Sequence, residues 1–386
     1  MIYRAISEKI KALAAKFPVV SLTGPRQSGK TTLVRELFPD YKYINLEHPD
    51  YRLAAQQAPQ ELLRHGAKGI IIDEAQYAPD IFSYIQLAAD ERNIPGEFIL
   101  TGSQHFLFIE KITQSLAGRV ALFNLLPFSA SELSGTPYQQ KAPLDYILKG
   151  FFPRLYDKDI APSDYFPAYI QTYVERDVRQ IVNVADLDAF QTFLRLCAGR
   201  IGQLFNQTEI GKLAGVDQKT ITRWLSILKT GFQVFTLPPY FQNFDKRIVK
   251  TPKLYFYDTG LACSLLSIRS TDELSLHFAR GPLFENFVIA EIMKNFFNRG
   301  IRPNLYFWRD HSGNEIDLLV EEGGQLFPLE IKAGQTIKSD YFKGLRYFAQ
   351  ISGIPAENAG LIYAGDLNIP TAEGRVHSWD QLPQFS

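Results

Sequence analysis

The chain has 386 residues, roughly two and a half domains at about 150 residues each. With 46% hydrophobic and 21% charged residues it is neither a disordered nor a collagen-like polymer. Lys and Arg (41) balance Asp and Glu (41), which excludes a uniformly basic coat for nucleic acid but leaves room for a local basic face. Two cysteines, Cys197 and Cys263, cannot build a disulfide framework or a structural zinc site. The first ten residues hold no apolar signal core, and no run approaches the ~20 apolar residues that span a bilayer. The expectation is a cytoplasmic, multi-domain protein with no membrane segment.

From Met1 to about Gly135, short apolar runs alternate with helix-like stretches. Val19–Leu22, Tyr43–Leu46, Gly69–Ile72 and Phe98–Thr101 lack polar alternation, as parallel strands buried by helices on both faces do. Leu33–Phe38 and Ile81–Arg92 have helical texture. Between the first strand and the first of these helices stands Gly24-Pro-Arg-Gln-Ser-Gly-Lys-Thr31, which fits G-x-x-x-x-G-K-[ST] at every fixed position. Glycines let backbone N–H groups curl around phosphate oxygens, and the following helix adds its positive N-terminus. Gly24, Gln27, Ser28, Gly29, Lys30, Thr31 and Thr32 are therefore the expected nucleotide cradle. Lys30 would reach the β- and γ-phosphates of ATP, and Thr31 would offer its hydroxyl to Mg²⁺.

The run Gly69–Ile72 ends in Asp73-Glu74. Asp73 is expected to hold Mg²⁺ through water, and Glu74 to polarise the attacking water. Phe98–Thr101 is followed by Gly102-Ser103-Gln104, where a polar residue can sense a γ-phosphate or simply close a turn. The turn-rich stretch Ser134–Pro143 marks the exit from this first region.

Helical periodicity dominates from Pro162 to about Leu228. Gln207–Ala214, a turn at Gly215, an N-cap at Asp217 and a second helix over Gln218–Lys229 form a helix-turn-helix pattern. Ile221, Trp224, Leu225 and Leu228 make the buried stripe of the second helix, and Lys219, Thr222, Arg223 and Ser226 the opposite face. Strand-like Val234–Leu237 and Leu254–Tyr257 flank the basic stretch Lys246–Lys253, an order that resembles a winged helix. Residues 201–260 carry eight basic residues against four acidic ones, an excess of +4 in a neutral chain. Such a module can hold DNA through phosphates, and it can equally serve packing or a protein partner.

After Gly281 a long helical stretch, Leu283–Asn298, precedes strand-like Leu305–Trp308, Glu315–Val320 and Leu326–Lys332. Residues two apart on a strand share a face, so Glu330 and Lys332 point together. Asp317 on the neighbouring strand can converge with Glu330 on Mg²⁺ or Mn²⁺, with Glu285 adding a ligand from the helix and Lys332 acting on water or on phosphate charge. No pair of the six histidines has metal-ligand spacing, so no zinc site is expected.

The N-terminal motifs resemble the AAA+-type P-loop ATPases of bacteria and archaea, in the branch with a nuclease-like C-terminal domain. Asn45-Leu-Glu-His-Pro49, Ile72-Asp-Glu-Ala-Gln76, Leu100-Thr-Gly-Ser-Gln104, Leu116-Ala-Gly-Arg119 and Tyr173-Val-Glu-Arg-Asp-Val178 extend the likeness along the chain. The constellation Asp317, Glu330 and Lys332 is similar to the PD-(D/E)xK nuclease core. The resemblance implies three domains: an α/β P-loop ATPase domain with a parallel sheet (1–135), a helical and winged-helix middle (136–275), and an α+β restriction-endonuclease-like domain (276–386). It implies ATP hydrolysis, with Ser103 as the sensor and Arg119 or Arg176 reaching a γ-phosphate in cis or from a neighbouring copy in a homo-oligomer. Two other readings stay open: a nucleotide-controlled protein-interaction module with an inactive nuclease-like domain, and a DNA-binding regulator that uses ATP as a structural ligand.

Overall fold

The computed structural model describes residues 2–64, 68–102, 115–174, 187–241 and 250–385. Ser103, Gln104, Arg176, Lys246 and Arg247 lie outside the described residues. The chain forms two compact units, one of residues 1–128, 230–232 and 295–301, the other of 129–229, 233–294 and 302–386. The second unit thus takes in both regions that follow the first in the sequence.

In the first unit, strands β1 (Val19–Thr23), β2 (Lys42–Asn45), β3 (Ile70–Asp73), β4 (Phe98–Gly102) and β5 (Val120–Asn124) form a sheet in the order β2-β3-β4-β1-β5. Every neighbouring pair is parallel, with Val19 opposite both Phe98 and Val120. The uniformly apolar runs follow from burial on two faces. Ile70, Ile72, Phe98 and Leu100 pack with Ile81, Phe82 and Ile85 of the helix Ile81–Arg92. Ile71, Ile99, Val20 and Leu22 turn the other way, onto Leu33 and Val34 of the helix Lys30–Leu37 and onto Ile6 and Ile10. Because all five strands run in one direction, their polar ends gather along one edge of the sheet.

The second unit holds an antiparallel pair, β6 (Val234–Leu237) with β7 (Lys253–Phe256), and a six-stranded mixed sheet. Its strands are β8 (Asn304–Arg309), β9 (Glu315–Glu322), β10 (Gln325–Lys332), β11 (Gly360–Tyr363), β12 (Ile369–Thr371) and β13 (Gly374–Ser378), in the order β12-β13-β11-β10-β9-β8. β8, β9 and β10 form an antiparallel meander, and β11 then adds parallel to β10. The chain leaving β6 runs beside β8: the Tyr240 N–H donates to Phe307 O at 2.8 Å and the Phe307 N–H to Pro238 O at 3.0 Å. The small pair is thereby joined to the edge of the large sheet.

The helix Arg280–Asn298 is joined to the backbone of β7 through Asn286. Asn286 is fully buried, donates through Nδ2 to Phe256 O and accepts the Phe256 N–H at Oδ1, each at 2.7 Å. An amide that matches both backbone groups of one residue sets the position of the whole first half of this helix. Asn286→Ala should strand both groups and lower the unfolding free energy by about 2–4 kcal/mol. Urea denaturation followed by far-UV circular dichroism measures this, and a loss under about 0.5 kcal/mol would contradict the assigned role.

Candidate functional site

The loop between β1 and the helix Lys30–Leu37 is shaped by close approach. A Cβ on Gly24 would lie 2.1 Å from the carbonyl oxygen of Leu125, so only glycine fits. Gly29, at φ 91°, takes the left-handed turn that feeds the helix. Gln27 also has positive φ. The hydroxyl of Ser28 is buried and has no protein hydrogen-bond partner, a polar atom left for a ligand oxygen in the loop. Lys30 is buried, and Nζ donates to the carbonyls of Gly24 (3.0 Å) and Pro25 (2.8 Å). Burial pulls its pKa below the ordinary lysine value, against the attraction of Glu74 and Asp73. Thr32, two residues on, is exposed at the first turn of the helix.

Asp73 closes β3 with a buried carboxylate that three hydroxyls reach. Thr31 donates to Oδ2 at 2.7 Å, Tyr43 of β2 donates to Oδ2 at 2.7 Å, and Thr101 of β4 donates to Oδ1. Tyr43 and Thr101 are functional neighbours that the motif reading did not single out; both stand on strands that flank β3. The Tyr43 phenol is held well above its usual pKa by burial and by Asp73, and the Arg35 guanidinium lies 4.9 Å over its ring. Glu74 sits next in the chain at φ 53°, with its carboxylate bonded by the amide of Gln76. The loop, Thr31, Asp73 and Glu74 thus meet within one unit at the polar edge of the sheet. Arg119 is engaged elsewhere, donating to Asp90 Oδ2 at 3.0 Å and to Ala117 O at 2.9 Å.

In the second unit the helices Gln207–Ala214 and Gln218–Thr230 are joined by left-handed Gly215, and the Thr220 N–H donates to Asp217 Oδ1 at 2.7 Å. Ile221, Trp224, Leu225 and Leu228 are buried, whereas Lys219, Thr222, Arg223 and Ser226 are exposed, as the periodicity anticipates. Lys253 departs from the expected basic face. It is 2% exposed and ion-paired with Glu285 and Glu315, so it is not available to phosphates.

The C-terminal carboxylates converge around two lysines. Lys332 Nζ donates to Asp317 Oδ2 at 2.8 Å and also to Glu330, while the Ile331 N–H donates to Asp317 Oδ2 at 2.8 Å. Burial would push Asp317 up, but Lys332 and Lys253 hold it below the usual carboxylate range. Glu330 is raised well above that range by burial and by Asp317 beside it. Two buried carboxylates forced together call for positive charge. Hard oxygens at Asp317 and Glu330 suit Mg²⁺ or Mn²⁺ in kind, although among the described residues no group of three or more His, Cys, Asp or Glu is arranged to hold a metal ion. Glu285 is held by Lys253 and Tyr255. Burial pushes its carboxyl up to about 7 against the pull of Lys253.

Glu330 has its place because Gly344 has no side chain: a Cβ there would lie 2.0 Å from Glu330 Oε1 and 2.7 Å from Glu315 O. Gly344→Ala should displace the carboxylate and cost about 1–3 kcal/mol of stability. A thermal melt matching wild type within about 1 °C would show that the Glu330 pocket has more room than this.

Comparison with known proteins divides the chain in three. Residues 16–134 match a family model described as an AAA domain, and residues 140–272 and 280–382 match two models described as domains of unknown function, DUF8612 and DUF4143. The first unit is a P-loop α/β domain of AAA type. Uncharacterized proteins of Mycobacterium bovis and Mycobacterium tuberculosis are each 29% identical over 372 residues, 96% of this chain and 82% of theirs. Among solved structures, a Walker-type ATPase of Pyrococcus abyssi covers 68% of this chain and 94% of its own, at 16% identity and a TM-score of 0.45. AMPPCP-bound DnaA from Aquifex aeolicus covers 58% and 85%, at 12% identity and a TM-score of 0.30. No helix among the described residues is long and apolar enough to cross a membrane.

Proposed function

We propose that the chain is an Mg²⁺-dependent ATPase whose nucleotide state acts through the helix-turn-helix module and a nuclease-like C-terminal domain on DNA. The observation that carries the ATPase reading is the Thr31–Asp73 hydrogen bond, which sets the loop hydroxyl and the strand-end carboxylate 2.7 Å apart. Both are hard oxygen donors suited to Mg²⁺, one directly and one through water. Bound there, Mg²⁺ would neutralise charge on the β- and γ-phosphates. Lys30 exchanges the carbonyls of Gly24 and Pro25 for phosphate oxygens, and the Ser28 hydroxyl gains the partner it lacks. Glu74 orients the attacking water and draws off its proton. Ser103 as γ-phosphate sensor, and an arginine from this chain or a second copy, complete the scheme.

Glu74→Gln should retain ATP binding and lose at least ~100-fold in turnover, the scale of a missing general base. Lys30→Ala should weaken binding itself. Phosphate release under single-turnover conditions measures the first effect, and turnover equal to wild type would remove Glu74 from this role.

The DNA reading rests on exposed Lys219 and Arg223 of the second helix together with exposed Lys250; Lys246, of the same set, lies outside the described residues. If these meet phosphates, affinity for duplex DNA should fall with salt at a log–log slope of about −0.9 per neutralised phosphate. Arg223→Glu with Lys250→Glu should flatten that slope. Fluorescence anisotropy across a salt series is the measurement, and a salt-independent affinity favours a protein partner for this face. In the C-terminal domain, Asp317 and Glu330 would hold a divalent metal, which would supply Lewis-acid chemistry, and Lys332 would act on the scissile phosphate. A second reading, a nuclease-like domain that binds without cutting, is favoured by Lys332 already being ion-paired with both carboxylates.

A further inference from the structure

The helical glutamate expected to join a metal set has a different partner in this fold. Glu285 Oε1 accepts from Lys253 Nζ at 3.3 Å and from the Tyr255 hydroxyl, and the same ammonium is ion-paired with Glu315. The Lys253 side chain is 3% exposed and its ammonium lies 5.4 Å from the Phe307 ring centroid. An ammonium clasped by two carboxylates fills the space and supplies the charge that a cation there would supply.

Lys253 is also fixed from its own backbone. It opens β7 opposite Leu237 and forms a bridge to Leu204, and the Gly202 N–H donates to the next residue, Leu254, at 3.0 Å. Two residues beyond Leu254, Phe256 carries both hydrogen bonds to Asn286, which adjoins Glu285. Strand and helix are therefore locked so that Lys253, Tyr255 and Glu285 meet. Arg309, 3.3 Å from Glu315 Oε2, is the further positive neighbour.

We propose that Lys253 is a tethered cation that takes Glu285 and Glu315 out of any metal set and leaves Asp317, Glu330 and Lys332 as the place for one divalent ion. This rests on the nuclease-like reading of those three residues for its second half only. Its first half is an assignment of charge within the unit. Since β7 belongs to the β6–β7 pair that follows the helix-turn-helix, the charge that matches Glu285 and Glu315 is supplied by the module proposed to touch DNA. A buried ion in such a network is costly to orphan and strongly coupled to its partner.

The test uses the full chain carrying Thr31→Ala, without nucleotide, at pH 8, titrated calorimetrically with Mn²⁺. The parent should take one Mn²⁺, and Asp317→Asn should abolish it. Glu285→Gln should leave the affinity within about two-fold, because a lysine-bound carboxylate is no ligand. Lys253→Met should tighten binding ten-fold or more, or add a second Mn²⁺. A ten-fold loss on Glu285→Gln, or identical isotherms for Lys253→Met and its parent, would overturn the proposal. If Asp317→Asn leaves the isotherm unchanged, or the parent takes no Mn²⁺, the nuclease-like reading fails, and the lysine assignment is decided by stability alone. Lys253→Met takes the ammonium from two part-buried carboxylates and leaves Glu285 with the Tyr255 hydroxyl alone, whereas Glu315 keeps Arg309, so adding Glu285→Gln should raise its melting temperature, or restore folding should the single variant not fold. A double variant no more stable than Lys253→Met alone overturns the tethered-cation assignment.

Discussion

A charge taken out of water has to be matched at short range, and this chain buries charge at each place where chemistry is proposed. Asp73 ends a strand whose other three residues are fully apolar, and three hydroxyls from three different elements converge on its two oxygens. Lys30 is held by loop carbonyls of the turn it completes. Lys253 and Lys332 thread between four carboxylates of the second unit. Lys30 apart, the matching groups come from other strands or from a packed helix. The sheet order therefore decides which charges can be buried.

The first unit meets the requirement with neutral donors and the second with ions, and the difference bears on what each site can do. Hydroxyls around Asp73 stabilise negative charge without cancelling it, so the carboxylate keeps its attraction for a cation and for the water between them. The two lysines of the second unit offset part of the charge of its four carboxylates. A divalent ion arriving at Asp317 and Glu330 has to displace or share with Lys332, while Glu285 and Glu315 are already committed. The proposed ATP hydrolysis thus has its electrostatic setting in place, and the proposed phosphodiester cleavage would depend on how far Lys332 yields.

Much of the first unit was legible in the sequence because its signals are local. The phosphate loop has fixed spacing, and strands buried on two faces read as unbroken apolar runs, so β1, β3 and β4 lie where those runs stand. β5 was not anticipated: its residues alternate between buried and exposed with Leu122 outward, as an edge strand allows, and two-face patterning does not reveal it. Tyr43 and Thr101 were invisible as partners of Asp73 because their contact exists only through strand register. A tyrosine on the strand beside β3 was the available hint. In the second unit the buried stripe of Gln218–Thr230 and the strands bearing Asp317 and Glu330 stand where periodicity put them. Lys253 was misjudged, since charge counting treats every lysine as solvated; only the docking of Asn286 on Phe256 brings Glu285 to it.

Whether the first unit takes ATP with Mg²⁺ is decided by calorimetric titration of ATP–Mg²⁺ into the wild-type chain and into Gly24→Ala. A Cβ at Gly24 collides with Leu125 O and deforms the cradle without touching any charged group. The account predicts saturable binding to wild type and at least a ten-fold weaker affinity for Gly24→Ala in a chain that still melts cooperatively. Equal affinity in both, or no binding to wild type, would contradict it.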